Sequence, residues 1–135
     1  MRLAILSDVH ANLEALEAVL ARAREEGATA HASLGDVVGY GADPAACIDR
    51  LRALASLAAV RGNHDAMVAT GEIDGGTSPR AVVAVAWTRA ALDEDRRAWL
   101  AGRPLSLRPT AEVRLVHDSP SEPGSWRYVT GAREG

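Results

Sequence analysis

Six side chains of the types that bind metal ions recur at the ends of short apolar segments. They are Asp8 and His10 after the first segment, Asp36 after the second, Asn63 and His64 after the third, and His117 after the fourth. Carboxylate, amide and imidazole groups that converge from separate strand ends can hold divalent cations. These oxygen and nitrogen donors suit manganese, iron, cobalt, nickel or zinc better than a set of thiolates does.

A pair of such cations would be suited to the hydrolysis of phosphate esters. The anionic oxygens of an ester repel a nucleophile, and two metals about 3.5–4 Å apart neutralise that charge and lower the pKa of a bound water. Local spacing also favours a shared ion, because the side chains of Asp8 and His10 point the same way in an extended segment. Val9, which lies between them, is then expected to face the core.

Alternating strands and helices must bring these residues together. The predicted strands cover Arg2 to Leu6, Thr29 to Leu34, Leu57 to Val60 and Val113 to Val116. The predicted helices run from the Asn12 cap to Gly27, from Pro44 to Leu54, from the Ser78 cap to about Leu92 and from the Asp93 cap to Leu100. Such βαβ units form a parallel sheet whose functional loops leave the carboxyl ends of the strands. The sequence therefore predicts an α/β fold with the candidate ligands at one edge of the sheet.

The composition is that of an ordinary globular domain. The 135 residues are 47% hydrophobic and 24% charged, with a formal net charge of -3. The single cysteine, Cys47, rules out an internal disulfide, and the apolar run at the N-terminus is too short for a signal sequence or a membrane span. Because the arginines form no basic stripe, we expect no stable nucleic-acid partner. We also expect no membrane association and a cytoplasmic location.

Four segments carry a specific family resemblance. They are Asp8-Val9-His10-Ala11-Asn12, Gly35-Asp36-Val37-Val38-Gly39-Tyr40-Gly41, Gly62-Asn63-His64-Asp65 and Val116-His117. In this order they resemble the signature motifs of the calcineurin-like metallophosphoesterase superfamily, and the likeness extends from Met1 to about Val129. The segment Val38 to Gly41 and the predicted helix from Pro44 are similar to a small bacterial branch. The resemblance implies a metallophosphoesterase-type α/β sandwich.

The same resemblance implies a role for each candidate ligand. Asp8 and His10 would bind the first of two divalent metal ions, Asn63 and His117 the second, and Asp36 would bridge both. His64 would be the catalytic residue outside the metal shell, in contact with the phosphate and the leaving oxygen. Manganese is the metal we expect, with iron, nickel, cobalt or zinc as alternatives. A bridging carboxylate fits the chemistry, because it can lie between two dications without losing a proton at pH 7.

We therefore expect an enzyme that hydrolyses phosphomonoesters or phosphodiesters by means of a metal-activated water. Its partner would be a small phosphate-ester substrate, and nucleotides are included in that class. Gly39 and Tyr40 stand where the larger protein phosphatases have an Asp-Arg pair, which removes one reason to propose a phosphoprotein substrate.

The sequence also departs from the family pattern near its end. The family's final Gly-His-x-His motif supplies one histidine to each metal, but no histidine follows His117. We expect residues 1–135 to form a single metallophosphoesterase domain that is incomplete at the C-terminus. Exposed apolar sheet surface would then favour a homo-oligomer. The alternative function is a catalytically impaired short form or fragment that binds metal weakly without turnover, unless another copy or a separate chain supplies the missing histidines.

Several other residues have simpler interpretations. Asp118 stands where the family usually has glycine, and it could add a ligand or block close backbone approach. Cys47, Trp87 and Trp99 are expected to pack in the core. Asn12 is expected to cap a helix, and Arg61 could lie near substrate or at a solvated strand end.

Overall fold

Three parallel strands form the sheet that positions the candidate ligands. The computed structural model describes residues 2–127 and 131. The strands are β1 (Leu3–Leu6), β2 (Ala30–Ser33) and β3 (Leu57–Ala59), in the order β1-β2-β3. Leu6 pairs with Ser33, and Ser33 pairs with Ala59. All three strands therefore end at the same edge of the sheet, so the loops that follow them meet there.

Two helices provide the crossovers between these strands. Helix α1 (Leu13–Glu25) follows β1, and helix α2 (Pro44–Arg52) follows β2. The side-chain oxygen of Asn12 accepts a hydrogen bond from the amide of Ala15 at 3.0 Å, which confirms the predicted cap. Cys47 is completely buried in α2, as predicted, and burial raises its pKa to about 11. The thiol therefore behaves as a small apolar side chain rather than a nucleophile.

Three helices follow β3, and the first of them was not predicted. Helix α3 (Asn63–Thr70) begins where the sequence indicated only a loop, because its eight residues are too few for a clear apolar period. Gly71, with a φ of 84°, ends it. Helices α4 (Pro79–Ala91) and α5 (Glu94–Ala101) agree with prediction, and the side chains of Ser78 and Asp93 cap them.

The two predicted core tryptophans have different environments. Trp99 packs against the main core cluster, as expected. Trp87 is 50% exposed, so its predicted core position is wrong. Helix α4 buries Ala81, Val85 and Thr88, which lie three or four residues apart, and Trp87 falls outside that stripe.

A second, antiparallel sheet carries the last candidate ligand. It consists of β4 (Ser106–Leu107), which was not predicted, and β5 (Leu115–Val116), a shorter strand than expected. Leu115 packs with Ala32 and Val60 in a second apolar cluster, which joins this small sheet to the larger one. His117 is thereby brought to the sheet edge where β2 ends. Within the part of the chain that the structure describes, no helix combines the length and apolar character that crossing a lipid bilayer requires.

Candidate metal centre

Backbone hydrogen bonds join the loops that follow β1 and β2. The amides of Asp8, His10 and Ala11 donate to the carbonyls of Gly35, Asp36 and Val37, at 3.1, 2.9 and 2.9 Å. The first loop is not the extended segment that the sequence suggested: Asp8, His10 and Ala11 have φ values of 56°, 47° and 56°. Such values are uncommon in residues other than glycine, and the hydrogen bonds to the second loop stabilise them here.

This turn places three of the predicted ligands together. The ligand atoms of Asp8, His10 and Asp36 all lie within 4.8 Å of one another. Nε2 of His10 is 3.7 Å from Oδ1 of Asp8 and 3.7 Å from Oδ2 of Asp36. These distances exceed a hydrogen bond, so the three groups face a common point without bonding to one another. Val9 packs against the core cluster, as expected.

The two carboxylate oxygens of Asp36 have different environments. Oδ1 accepts a hydrogen bond from the backbone amide of His64 at 2.9 Å. Oδ2 lies 3.7 Å from Nε2 of His10 and 3.5 Å from Nε2 of His117. Burial raises the pKa of Asp36 to about 6, although His117 and the His64 amide oppose the shift. One oxygen is therefore fixed by the backbone, and the other lies near two imidazoles.

Backbone carbonyls orient both of these imidazoles. Nδ1 of His10 lies 3.2 Å from the carbonyl oxygen of Val38, and Nδ1 of His117 lies 2.8 Å from that of Leu34. In a neutral ring, the nitrogen that donates to a carbonyl carries the hydrogen, which leaves the lone pair on Nε2. Both Nε2 atoms are thus presented to Asp36 as potential metal ligands, in the manner usual for metal-binding histidines.

The contact between His117 and Asn63 tests whether a cation fits. Nε2 of His117 lies 3.1 Å from Oδ1 of Asn63. When Nδ1 donates to Leu34, both facing atoms carry lone pairs and repel each other. A cation shared by the two atoms removes this repulsion, as does rotation of the Asn63 amide, which brings its nitrogen to Nε2. The donor set of imidazole, amide and carboxylate is also one that suits divalent transition metals. The residues present therefore fit a metal ion.

Asp65 supports this cluster, although sequence reasoning gave it no role. Its carboxylate is almost completely buried and accepts hydrogen bonds from the amides of Val38 and Gly62, each at 3.2 Å. It therefore joins the loop after β2 to the start of α3. Burial, followed by the nearby Asp36, raises the pKa of Asp65 to about 7. Asp65 bonds the Gly62 amide as the third helical residue does in a capping box, but glycine at the cap has no side chain to complete that sequence signature.

His64 lies on the first turn of α3 with its ring between the cluster and a cleft. Nδ1 is buried without a hydrogen-bond partner among the described residues. A Cβ atom added to Gly39 would lie 2.7 Å from this nitrogen, so the backbone covers it closely. Burial, followed by the charges of His10 and His117, lowers the pKa of His64 to about 4. The imidazole is therefore neutral near pH 7, and it faces a cleft that Tyr40 also lines.

Asp118 and Arg61 have structural contacts that the sequence did not indicate. Oδ2 of Asp118 accepts hydrogen bonds from the amides of Gly124 and Trp126, at 2.8 and 2.9 Å. Asp118 therefore holds a loop and is not part of the candidate ligand cluster among the described residues. The guanidinium of Arg61 donates to the carbonyl of Ala101 at 2.9 Å, at the end of α5.

The fold and this cluster together define a class of protein. Parallel strands deliver carboxylate and imidazole groups to one edge of the sheet, where they surround a site that fits divalent cations. Residues 1–123 match the family sequence model of the calcineurin-like phosphoesterase superfamily domain. The chain belongs to that superfamily, as the sequence motifs indicated.

Similar proteins support the family and the fold. An uncharacterized protein of Methanocaldococcus jannaschii is 35% identical over 130 residues, which are 94% of this chain and 53% of that protein. The crystal structure of a metallophosphoesterase from Sphaerobacter thermophilus matches with a TM-score of 0.78 and 38% identity, over 96% of this chain and 51% of that one. A candidate diadenosine tetraphosphatase matches with a TM-score of 0.68 and 25% identity, over 95% of this chain and 55% of that one. The chain thus spans about half the length of these relatives.

Proposed function

We propose that this protein is a metal-dependent phosphoesterase that hydrolyses phosphomonoesters or phosphodiesters. The observation that carries the proposal is the environment of Asp36. One of its oxygens is held by the His64 amide at 2.9 Å, and the other lies 3.7 and 3.5 Å from the Nε2 atoms of His10 and His117. A buried carboxylate between two imidazole nitrogens is suited to bridging two cations.

In this proposal the ligands fall into two sets that share Asp36. Asp8 and His10 would hold one divalent ion, and Asn63 and His117 would hold the other. The donor types are compatible with manganese, the metal we expect, and with iron, nickel, cobalt and zinc. When bound, such ions neutralise the charge of the ester oxygens and lower the pKa of an attacking water. The chain itself fixes the positions of the ligands through the carbonyls of Val38 and Leu34.

His64 contributes a hydrogen bond outside the metal ligands. Its Nδ1 is enclosed by the backbone of Gly39, so Nε2 is the nitrogen that can reach an ester oxygen in the cleft. A neutral imidazole carries one hydrogen and can donate it. We assign His64 to contact with the phosphate and the leaving oxygen, where charge develops during hydrolysis.

The direct test is turnover of p-nitrophenyl phosphate and bis(p-nitrophenyl) phosphate by the purified chain. We expect release of p-nitrophenol with added manganese and none after treatment with a chelator, because the uncompensated ester charge then repels the nucleophile. Restoring manganese should restore the rate. If the chelated protein is as active as the manganese-loaded protein, the proposed function is wrong.

Replacing His64 should reduce the rate while leaving metal binding in place. In His64→Gln we expect kcat to fall by about 10²–10⁴-fold, the usual contribution of a positioned proton donor or acceptor. Calorimetric titration with manganese should show unchanged stoichiometry, because the side chain of His64 is not assigned as a ligand. Unchanged kcat would remove His64 from the reaction.

A second candidate function is metal binding without turnover. The observation that favours it is the 56% exposure of the Asp8 side chain, which leaves this ligand open to competing solvent. Calorimetry and kinetics separate the two functions. Two tight manganese sites per chain together with turnover support the phosphoesterase. Weak binding at one site without turnover supports the impaired form.

A further inference from the structure

A cleft of about 680 Å³ opens beside the candidate metal centre. Asn63 and His64 line it where it meets the candidate ligands, and Tyr40 and Trp126 line it as well. This volume falls in the range of about 300–1,000 Å³ that is typical of small-molecule sites. A phosphate held at the metal centre would leave most of this space to the organic part of the ester.

The two aromatic side chains of the cleft each contact histidines of the candidate site. The Tyr40 ring lies 4.7 Å from the His64 ring and 5.0 Å from the His10 ring, measured between centroids. The Trp126 ring lies 6.2 Å from the His117 ring. Despite its contacts, Tyr40 is 54% exposed, so much of its surface is available to a ligand. A planar group in the cleft would meet aromatic surface close to the phosphate site.

Both aromatic residues have an unusual backbone conformation. Tyr40 has a φ of 63° and Trp126 a φ of 54°. Residues other than glycine occupy this region at a cost, and they cluster at ligand-binding sites where the surrounding structure imposes the conformation. The backbone of Trp126 is held by Asp118, whose carboxylate accepts hydrogen bonds from the amides of Gly124 and Trp126. Since Asp118 directly follows His117, it fixes Trp126 relative to a candidate metal ligand.

The charge of the cleft favours an uncharged group away from the phosphate. Among the described residues that line the cleft, Asp74 carries a carboxyl group, and no lysine or arginine is present. A second anionic group would be repelled by Asp74 and would find no cation from these side chains. Met67 and Ala81, each 3% exposed, also line the cleft. A neutral planar ring matches this combination of groups.

We propose that this cleft binds a planar aromatic ring attached to the phosphate, such as a nucleobase. Trp126 and Tyr40 contact the ring, and Asp118 is a positioning residue for Trp126. This inference rests on the proposed function, because the metal centre must hold the phosphate. Stacking of a base on an aromatic side chain contributes about 1–3 kcal/mol, which corresponds to about 5–150-fold in affinity.

The test compares two ligands that share a phosphate and a pentose. Adenosine 5′-monophosphate carries a base, and ribose 5-phosphate does not. Each ligand is measured as a competitor in initial-rate turnover of a p-nitrophenyl ester by the manganese-loaded full chain, because this readout also holds for a ligand that is itself hydrolysed. The nucleotide should bind at least about 5-fold more tightly. In Trp126→Ala this ratio should fall towards one, whereas Trp126→Phe should retain most of it. Trp87→Ala is the matched control, since Trp87 is exposed on α4 outside the cleft, and its ratio should equal that of the unaltered protein.

Two substitutions of Asp118 test its positioning role. Asp118→Asn keeps an oxygen that can accept the amides of Gly124 and Trp126, so the affinity ratio should be retained. Asp118→Ala removes that oxygen, so the ratio should fall as it does in Trp126→Ala. If Asp118 supports only the general fold, Asp118→Ala would weaken both ligands equally and leave the ratio unchanged, which would overturn its assignment.

The outcomes separate this inference from the proposed function. Equal affinity of the unaltered protein for the two ligands, or a ratio that Trp126→Ala leaves unchanged, overturns the ring subsite. Absence of manganese-dependent turnover of both p-nitrophenyl phosphate and bis(p-nitrophenyl) phosphate overturns the proposed function instead. A comparison of phenyl phosphate with methyl phosphate identifies the ring: a similar advantage for phenyl phosphate supports a general aromatic subsite, and an advantage confined to the nucleotide supports a base.

Discussion

Asp36→Asn is expected to abolish turnover while leaving the protein folded. The asparagine oxygen can still accept the His64 amide, which now bonds to Oδ1 at 2.9 Å, so the local geometry is retained. The substitution removes the negative charge that would lie between two cations. Metal ions contribute several kcal/mol of charge stabilisation, so we expect kcat/KM for p-nitrophenyl phosphate to fall by at least about 10³-fold.

Thermal unfolding distinguishes loss of the metal from loss of the fold. Burial raises the folded-state pKa of Asp36 from its ordinary value of 3.8 to about 6, so its ionised form is disfavoured in the folded metal-free protein. That cost is absent at low pH and complete above about pH 6. At pH 8, metal-free Asp36→Asn should therefore unfold at the same temperature as the unaltered protein or higher. Manganese should raise the unfolding temperature of the unaltered protein but not that of the variant.

Asp95→Asn is the matched control for this experiment. Asp95 is a surface carboxylate on α5 that pairs with Arg52 and is not among the candidate ligands. Exposed ion pairs of this kind contribute little to stability, so the turnover and manganese response of Asp95→Asn should not change. Turnover in Asp36→Asn within tenfold of the unaltered protein would show that no metal-bridging carboxylate is needed.

The convergence of the candidate ligands could be predicted because it follows from topology. Parallel strands joined by helices end at one edge of a sheet, so residues that follow separate strands are brought together there. This rule predicts that Asp8, Asp36 and Asn63 follow strands that end at one edge of the sheet, and the register of β1, β2 and β3 agrees with it. The α/β fold and the family could likewise be recognised from the motifs.

The local shape of the loops could not be predicted, because contacts between loops decide it. The left-handed turn from Asp8 to Ala11 is held by carbonyls of residues 35–37, more than 20 positions later in the chain. The exposure of Trp87 depends on which face of α4 meets the core, and the mixed apolar pattern of that helix does not define the face. The role of Asp118 depends on amides of a loop that has no sequence signature.

Gly62 lies where the loops after β2 and β3 are in close contact, and replacing it is expected to have a large effect. The residue caps α3 with a φ of -89°, a conformation open to any amino acid. A Cβ atom at this position would nevertheless lie 2.1 Å from Oδ1 of Asp36 and 2.4 Å from its backbone nitrogen. Neither distance is sterically allowed, and the nitrogen cannot move without displacing the loop after β2. Gly62→Ala should therefore shift Asp36 away from His10 and His117.

We expect Gly62→Ala to lose both stability and metal binding. Overpacking of this kind costs about 1–3 kcal/mol, which should lower the unfolding temperature by roughly 5–15 °C. Because a displaced Asp36 no longer faces both imidazoles, manganese affinity and turnover should each fall by about 10–100-fold, the loss usual when the support of a metal ligand is disturbed. Calorimetry, thermal unfolding and p-nitrophenol release measure the three effects on one sample.

Gly75→Ala provides the control, since an added Cβ there has no neighbouring atom within 4 Å. This variant makes the same chemical change in a loop and should leave stability, manganese affinity and turnover unaltered. If Gly62→Ala behaves in the same way as Gly75→Ala, Asp36 does not lie against the start of α3. Oδ1 would then lack the His64 amide as a fixed partner, and the carboxylate would not be held in the orientation that a shared pair of cations requires.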